Sequence, residues 1–180
     1  LAKYPYGDEM KLIVFSGLPG TGKSTLAEIV GKQFGIPVFA KDWLEAVLLQ
    51  NGLQPKQNGK SLGYVGYELL TTLAERQLML GQSVILDSVA GIENIRDAWK
   101  RLAEKYQAER RVIECICSDE TIHRDRLLTR ERKIPGWHEL EWSEVERVKE
   151  YYVPWQEDRL VLDMVQPFEE NLFRASAYCE

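Results

Sequence analysis

The 180-residue sequence has three cysteines, two histidines and no long apolar run. Each scarcity excludes something. Cys115 and Cys117 alternate along an expected strand and Cys179 stands near the end, so neither a disulfide framework nor metal-ligand spacing emerges. That pattern predicts reduced thiols and a cytoplasmic protein. No apolar stretch approaches membrane-spanning length and no basic-then-apolar leader opens the chain, which predicts no membrane partner. Basic residues are outnumbered, 23 Lys and Arg against 28 Asp and Glu for a net charge of −5, which argues against a nucleic-acid partner. What is present is ordinary globular material, 44% apolar and 28% charged, enough for one sizeable core and too little for two. A single domain over 1–180 is expected, with 1–10 an aperiodic tail and Met10 an alternative start.

Glycine is spent where it matters. Gly17-Leu18-Pro19-Gly20-Thr21-Gly22-Lys23-Ser24 fits G-x-x-x-x-G-K-[ST], the phosphate-binding loop, at every specified position. The apolar run Lys11–Ser16 before it reads as a buried strand, and the spacing from Thr25 to Phe34 is helical. Glycines let successive N–H groups turn inward on an anion, and the helix dipole behind them favours phosphate. Lys23 is placed to reach the β- and γ-phosphates and Ser24 to ligate Mg²⁺. Residues Gly17 to Thr25 are therefore assigned to a nucleoside triphosphate, with ATP and Mg²⁺ as the expected cofactors.

Strand and helix signals alternate along the rest. Strands are expected at 36–40, 83–87, 111–117 and 160–165, and helices at 41–49, 62–80, 92–106, 119–133, 142–152 and 167–178, with a polar loop over 51–61. Five strands alternating with helices predict an α/β fold, a parallel sheet covered on both faces. Ligands of such sheets bind beyond the carboxyl ends of the strands, which gathers the loop, Asp42 and Asp87 at one rim.

Asp87 ends an apolar run, as a Mg²⁺-organising carboxylate does, or it caps the next turn. Asp42 follows the second strand and reads as the base for a substrate hydroxyl, as a helix cap, or as both. On the basic helix, His123, Arg126, Arg130 and Lys133 share one face, where a phosphate between Arg126 and Arg130 would relieve like-charge repulsion. Arg96, on the helix after Asp87, is expected to reach a substrate anion or to sit at the surface. His123 and His138 are expected to be solvated. Trp137, Trp142, Tyr151, Tyr152 and Trp155 read as packing, with stacking on a planar substrate the alternative.

With these residues placed, the chain resembles the phosphate-loop kinase-like family sometimes labelled an AAA-type ATP-binding domain. Zeta toxins, chloramphenicol phosphotransferase, gluconate kinases and polynucleotide kinase belong to that group. Gly17–Ser24, Lys41-Asp42, Ser83–Ser88, the arginines Arg126, Arg130 and Arg132, Ile134–Trp137 and Leu160–Asp163 carry the resemblance. It implies a three-layer phosphate-loop NTPase fold with a five-stranded parallel sheet of order 2-3-1-4-5. It implies an arginine-bearing lid over ATP, spanning 119–137, and a base role for Asp42. Lys23, Asp42, Arg126 and Arg130 are then the catalytic set, Ser24 and Asp87 the metal set, and Asp42 and Arg96 the substrate set. The expected activity is transfer of the ATP γ-phosphate to a hydroxyl of a small molecule whose identity the sequence leaves open. The alternatives are a nucleotide-dependent switch with slow hydrolysis and a polynucleotide 5′-hydroxyl kinase. No Asn-Lys-x-Asp guanine signature is present, and Ser88 follows Asp87 where motor ATPases carry Glu.

Overall fold

Every residue between the ends of Lys11–Ser16 is apolar because this strand, β1, is buried on both faces. Leu12 and Val14 face one core, Ile13 and Phe15 the other. The computed structural model describes residues 10–53, 56–57 and 60–180, without the side chains of 56, 57 and 60. The expected tail at 1–9 lies outside the described residues.

In chain order the elements are β1, α1 (Lys23–Phe34), β2 (Val38–Ala40), α2 (Lys41–Gln50), β3 (Lys56–Gln57) and β4 (Lys60–Ser61). Then come α3 (Leu62–Met79), β5 (Val84–Asp87), α4 (Glu93–Tyr106), β6 (Glu109–Ile116), α5 (Glu120–Thr129), α6 (Trp142–Tyr151), β7 (Leu160–Asp163) and α7 (Phe168–Cys179). The main sheet runs β2-β5-β1-β6-β7, all parallel. Counting only its own five strands, that order is 2-3-1-4-5, as expected. β3 and β4 pair antiparallel inside the segment expected to be loop, part of which lies outside the described residues.

Helices α1 and α7 pack on the face that carries Ile13, Phe15, Ile85 and Ile113, while α3 and α4 cover Leu12, Val14, Leu86 and Val112. Trp99 is fully buried in the second layer and donates its Nε1–H to Thr71 Oγ1 at 2.9 Å, which satisfies the polar end of a large apolar ring. No helix among the described residues is long and apolar enough to cross a membrane.

The basic helix is shorter than its sequence suggests. Asp119 caps α5, its carboxylate accepting from Thr121 N and Ile122 N, but the helix stops at Thr129. Arg130 is already extended (φ −75°, ψ 143°) and Lys133 is left-handed (φ 53°). Further on, Pro135 disfavours helical geometry at Ile134, whose side chain turns into the interior. The single face expected for His123, Arg126, Arg130 and Lys133 therefore ends at Arg126.

Candidate nucleotide and phosphoryl-transfer site

The phosphate loop begins where β1 meets its neighbours most closely. At Gly17 (φ 140°) an added Cβ would lie 2.1 Å from the Cys115 carbonyl oxygen, so no larger residue fits. Three donors hold the loop carbonyls. Thr21 Oγ1 donates to Leu18 O at 2.9 Å, with the Lys23 ammonium 3.5 Å from the same oxygen, and the His123 ring donates through Nε2 to Pro19 O at 2.7 Å. With those carbonyls engaged and Thr21 N donating to Leu18 O, the N–H groups of Gly20, Gly22 and the first turn of α1 are the polarity left for an anion.

His123 was expected in solvent and is instead 3% exposed, wedged between the loop and Trp142, with ring centres 5.1 Å apart. Burial holds its pKa below the ordinary histidine value, so it acts as a neutral donor. Nothing in the local sequence marks it, because its partner lies 104 positions away.

Below the loop, a polar chain fixes the end of β1. Ser16 Oγ donates to Val89 O at 2.8 Å and lies 3.0 Å from Trp155 Nε1, which donates to it. Tyr152 OH donates to Glu114 Oε1 at 2.7 Å, and Arg159 Nε to the second oxygen of that carboxylate.

Lys23 is almost fully buried, and desolvation brings its pKa down to about 8; Asp87 opposes the shift, while Arg132 and Arg130 add to it. Burial pushes the Asp87 carboxyl up, while Lys23 and the Ser24 hydroxyl pull it back. Asp87 Oδ1 and Ser88 Oγ are buried without a hydrogen-bond partner, as are Nε and Nη2 of Arg130. Arg130 Nε does lie 3.9 Å from Glu139 Oε2, but buried polar atoms without a hydrogen bond are costly unless a ligand meets them.

Two cavities share this rim. The larger, about 540 Å³, is lined by Gly20, Gly22, Lys23, Ser24 and Thr25 on the loop side, and by Arg126, Arg130 and Arg132 opposite. A small chamber of about 30 Å³ lies between Lys23, Asp42, Asp87, Ser88, Arg130 and Leu140. Asp42, Asp87, Lys23 and Arg130 thus meet as the sequence suggested, and Arg126 reaches the larger cavity.

Asp42 is not the cap of α2. Ala40 occupies that position without a side-chain bond, and the Asp42 carboxylate, in the first turn, pairs with Arg132 Nη1 from the loop after α5. The loop after α5 meets α2 in a second place, where Gln50 Nε2 donates to Pro135 O. Arg132 N also donates to Glu139 Oε1 at 2.9 Å, which folds this loop back on itself. Arg132, which stands outside the expected catalytic set, lines both cavities.

Arg96 departs from expectation. It is 5% exposed, its Nε donates to Ala90 O and its Nη2 to Val153 O, both at 2.6 Å, and its guanidinium lies 3.9 Å from the Trp155 ring centre. Ala90 is left-handed (φ 49°), and the guanidinium is committed to its carbonyl. It ties the loop after β5 to the segment after α6 and lines neither of the two cavities.

The model of a protein family described as an AAA domain matches residues 12–154. No curated protein matches the sequence significantly. Among solved structures, a sugar kinase from Janibacter sp. HTCC2649 superposes with a TM-score of 0.69 at 21% identity, covering 96% of this chain and 95% of its own. A gluconokinase from Sinorhizobium meliloti 1021 gives 0.67 at 18%, covering 93% of this chain and 90% of its own. Chaetomium thermophilum Kti12, solved with ADP-AlF3, gives 0.69 at 18%, covering 94% of this chain and 99% of its own. At these identities the shared property is the fold.

Proposed function

Because the chain belongs to the AAA domain family of phosphate-loop kinase-like proteins, we propose that it transfers the γ-phosphate of ATP to a hydroxyl of a small molecule. The observation that carries this reading is the convergence of Lys23, Asp42, Asp87, Arg130 and Arg132 on one chamber beside the phosphate loop. Phosphoryl transfer asks the protein mainly for positioning and for positive charge around the transferred group. Loop N–H groups and Lys23 would bind the phosphates, while Arg126 and Arg130 would meet the charge that develops on transfer. Asp42 would accept the proton of the attacking hydroxyl.

Mg²⁺ keeps several waters and binds through one or two protein oxygens plus phosphates. The donor set suits it: the Ser24 hydroxyl lies close enough to pull the Asp87 pKa down, and the buried Asp87 Oδ1 has no hydrogen-bond partner. Ser24 and Asp87 would hold the ion, which supplies charge neutralisation to the phosphates. The free thiols Cys115, Cys117 and Cys179 support a cytoplasmic setting. We read 1–180 as a single domain with its lid at 119–137.

The reading is tested by incubating the protein with Mg²⁺-ATP and a pooled panel of sugars, nucleosides, sugar nucleotides and hydroxylated antibiotics. One compound should stimulate ADP formation and gain a phosphate by mass. A protein that binds ATP and phosphorylates nothing in the panel would favour a nucleotide-dependent switch instead.

A further inference from the structure

Two demands meet at Asp42. A base for a hydroxyl must have its carboxylate free to take a proton, yet Asp42 Oδ2 accepts from Arg132 Nη1 across the gap between α2 and the loop after α5. Only 12% of the Arg132 side chain and 27% of the Asp42 side chain meet solvent, so this ion pair is weakly screened. Arg132 also borders two spaces. It lines the small chamber with Asp42, and the larger cavity with Lys23, Ser24, Arg126 and Arg130, where the phosphate loop would lay out a triphosphate. Its guanidinium is near enough to Lys23 to help hold that ammonium's pKa down. The backbone of Arg132 is anchored separately, by its N–H on Glu139 Oε1, so the guanidinium can change partner while the chain stays in place. A terminal phosphate, with about two negative charges and three acceptor oxygens, is a stronger partner than one carboxylate.

We propose that Arg132 switches partners: without nucleotide it holds Asp42, and the γ-phosphate of ATP draws it away and releases Asp42 to act as the base. The proposal rests on the transfer reading and adds an order to it, because the base becomes available only after ATP has bound. ADP lacks the γ-phosphate and leaves the Asp42–Arg132 pair intact, so the same residue distinguishes a triphosphate from a diphosphate. Arg132 is a positioning residue in the free protein, where it acts through Asp42. The competition works in both directions. Since the γ-phosphate must displace Asp42 from Arg132, the carboxylate opposes ATP binding, and it does so through that arginine.

The test is a double-mutant cycle read by calorimetry on the full chain, with Mg²⁺ and either a non-hydrolysable ATP analogue or ADP. Asp42→Asn should tighten binding of the analogue on the order of 10-fold, while ADP affinity changes far less. In an Arg132→Ala background the same Asp42→Asn change should bring no such gain. If Arg132→Ala does not fold, Arg132→Gln takes its place. Equal tightening of the analogue and ADP overturns the proposal, because it reports only the loss of a repelling charge. A gain that persists without Arg132, or no gain at all, overturns it as well. Each of those outcomes leaves γ-phosphate transfer to a panel compound standing, whereas failure to bind either nucleotide overturns both readings.

Discussion

His123 Nε2 donates to the Pro19 carbonyl at 2.7 Å, tying the first helix of the lid segment to the second turn of the phosphate loop. The bond is buried, and the nearest space above Gly20 is filled by His123 and Leu127. Loop shape and lid position are thereby joined through one imidazole. His123→Ala removes the donor and leaves a buried carbonyl unpaired, a loss of about 1–3 kcal/mol. The expected result is a lower melting temperature together with a several-fold weaker ATP affinity in calorimetry. His123→Asn, which keeps a donor, should recover part of the affinity; equal loss in both variants would assign the ring a packing role alone.

ATP affinity should fall as pH rises through about 8. Lys23 is held down to about 8 by burial, below its ordinary 10.5, so the free protein loses this ammonium in mildly alkaline solution. Bound phosphates stabilise the charged form and return its pKa upward, which means that binding takes up a proton in this window. Calorimetry at pH 8.5 in buffers of different ionisation enthalpy should show uptake of a fraction of a proton. No buffer dependence there would place the titration elsewhere. For stability the sign is the reverse. The unfolded chain keeps Lys23 protonated up to 10.5, so between about pH 8 and 10.5 this group makes the fold more stable as pH rises.

Arg96→Ala should damage the fold rather than the chemistry. Two carbonyls and a ring contact are lost together, with an expected cost of about 2–4 kcal/mol. Chemical denaturation reads that cost. Nucleotide affinity measured well below the unfolding transition should remain within a few-fold of the parent protein, and a selective loss of acceptor affinity would restore Arg96 to the substrate site.

Nucleotide should change the protection of the lid. Residues 130–141 are held by Asp42–Arg132, Gln50–Pro135 and Arg132–Glu139, and the guanidinium of Arg130 has two buried nitrogens without a hydrogen bond. A bound γ-phosphate would meet Arg130 and order this stretch. Hydrogen exchange with a non-hydrolysable ATP analogue should slow most at 126–141 and little in α7; unchanged exchange at 126–141 would rule out a responsive lid.

The phosphate loop, Asp42 and Asp87 were legible in the sequence because each is marked locally. Glycine spacing and strand ends are short-range signals, and the parallel-sheet rule then carries them to one rim. His123, Arg132 and Arg96 were not legible in the same way. Their partners lie 104, 90 and 57 positions away for the bonds to Pro19, Asp42 and Val153, so only the assembled fold reveals them. The overlong basic helix has a different cause. The charge pattern runs on through Lys133, while the backbone leaves the helix at Arg130, and a charge pattern carries no stop signal of its own.

The hydroxyl of Ser16 both gives and receives, donating to Val89 and accepting from Trp155, and the Glu114 carboxylate beneath it is occupied by Tyr152 and Arg159. Displacing the end of β1 would break several of these bonds at once, whereas moving residues 130–141 away from α2 breaks the Asp42–Arg132 pair and the Gln50–Pro135 bond. The two halves of the site consequently differ in compliance. The phosphate loop behaves as a fixed jig, and substrate fit is adjusted on the side of α2 and the lid. Sequence changes that retune the acceptor therefore belong near Asp42, Arg132 and Leu140, while changes around Ser16 alter whether the protein folds.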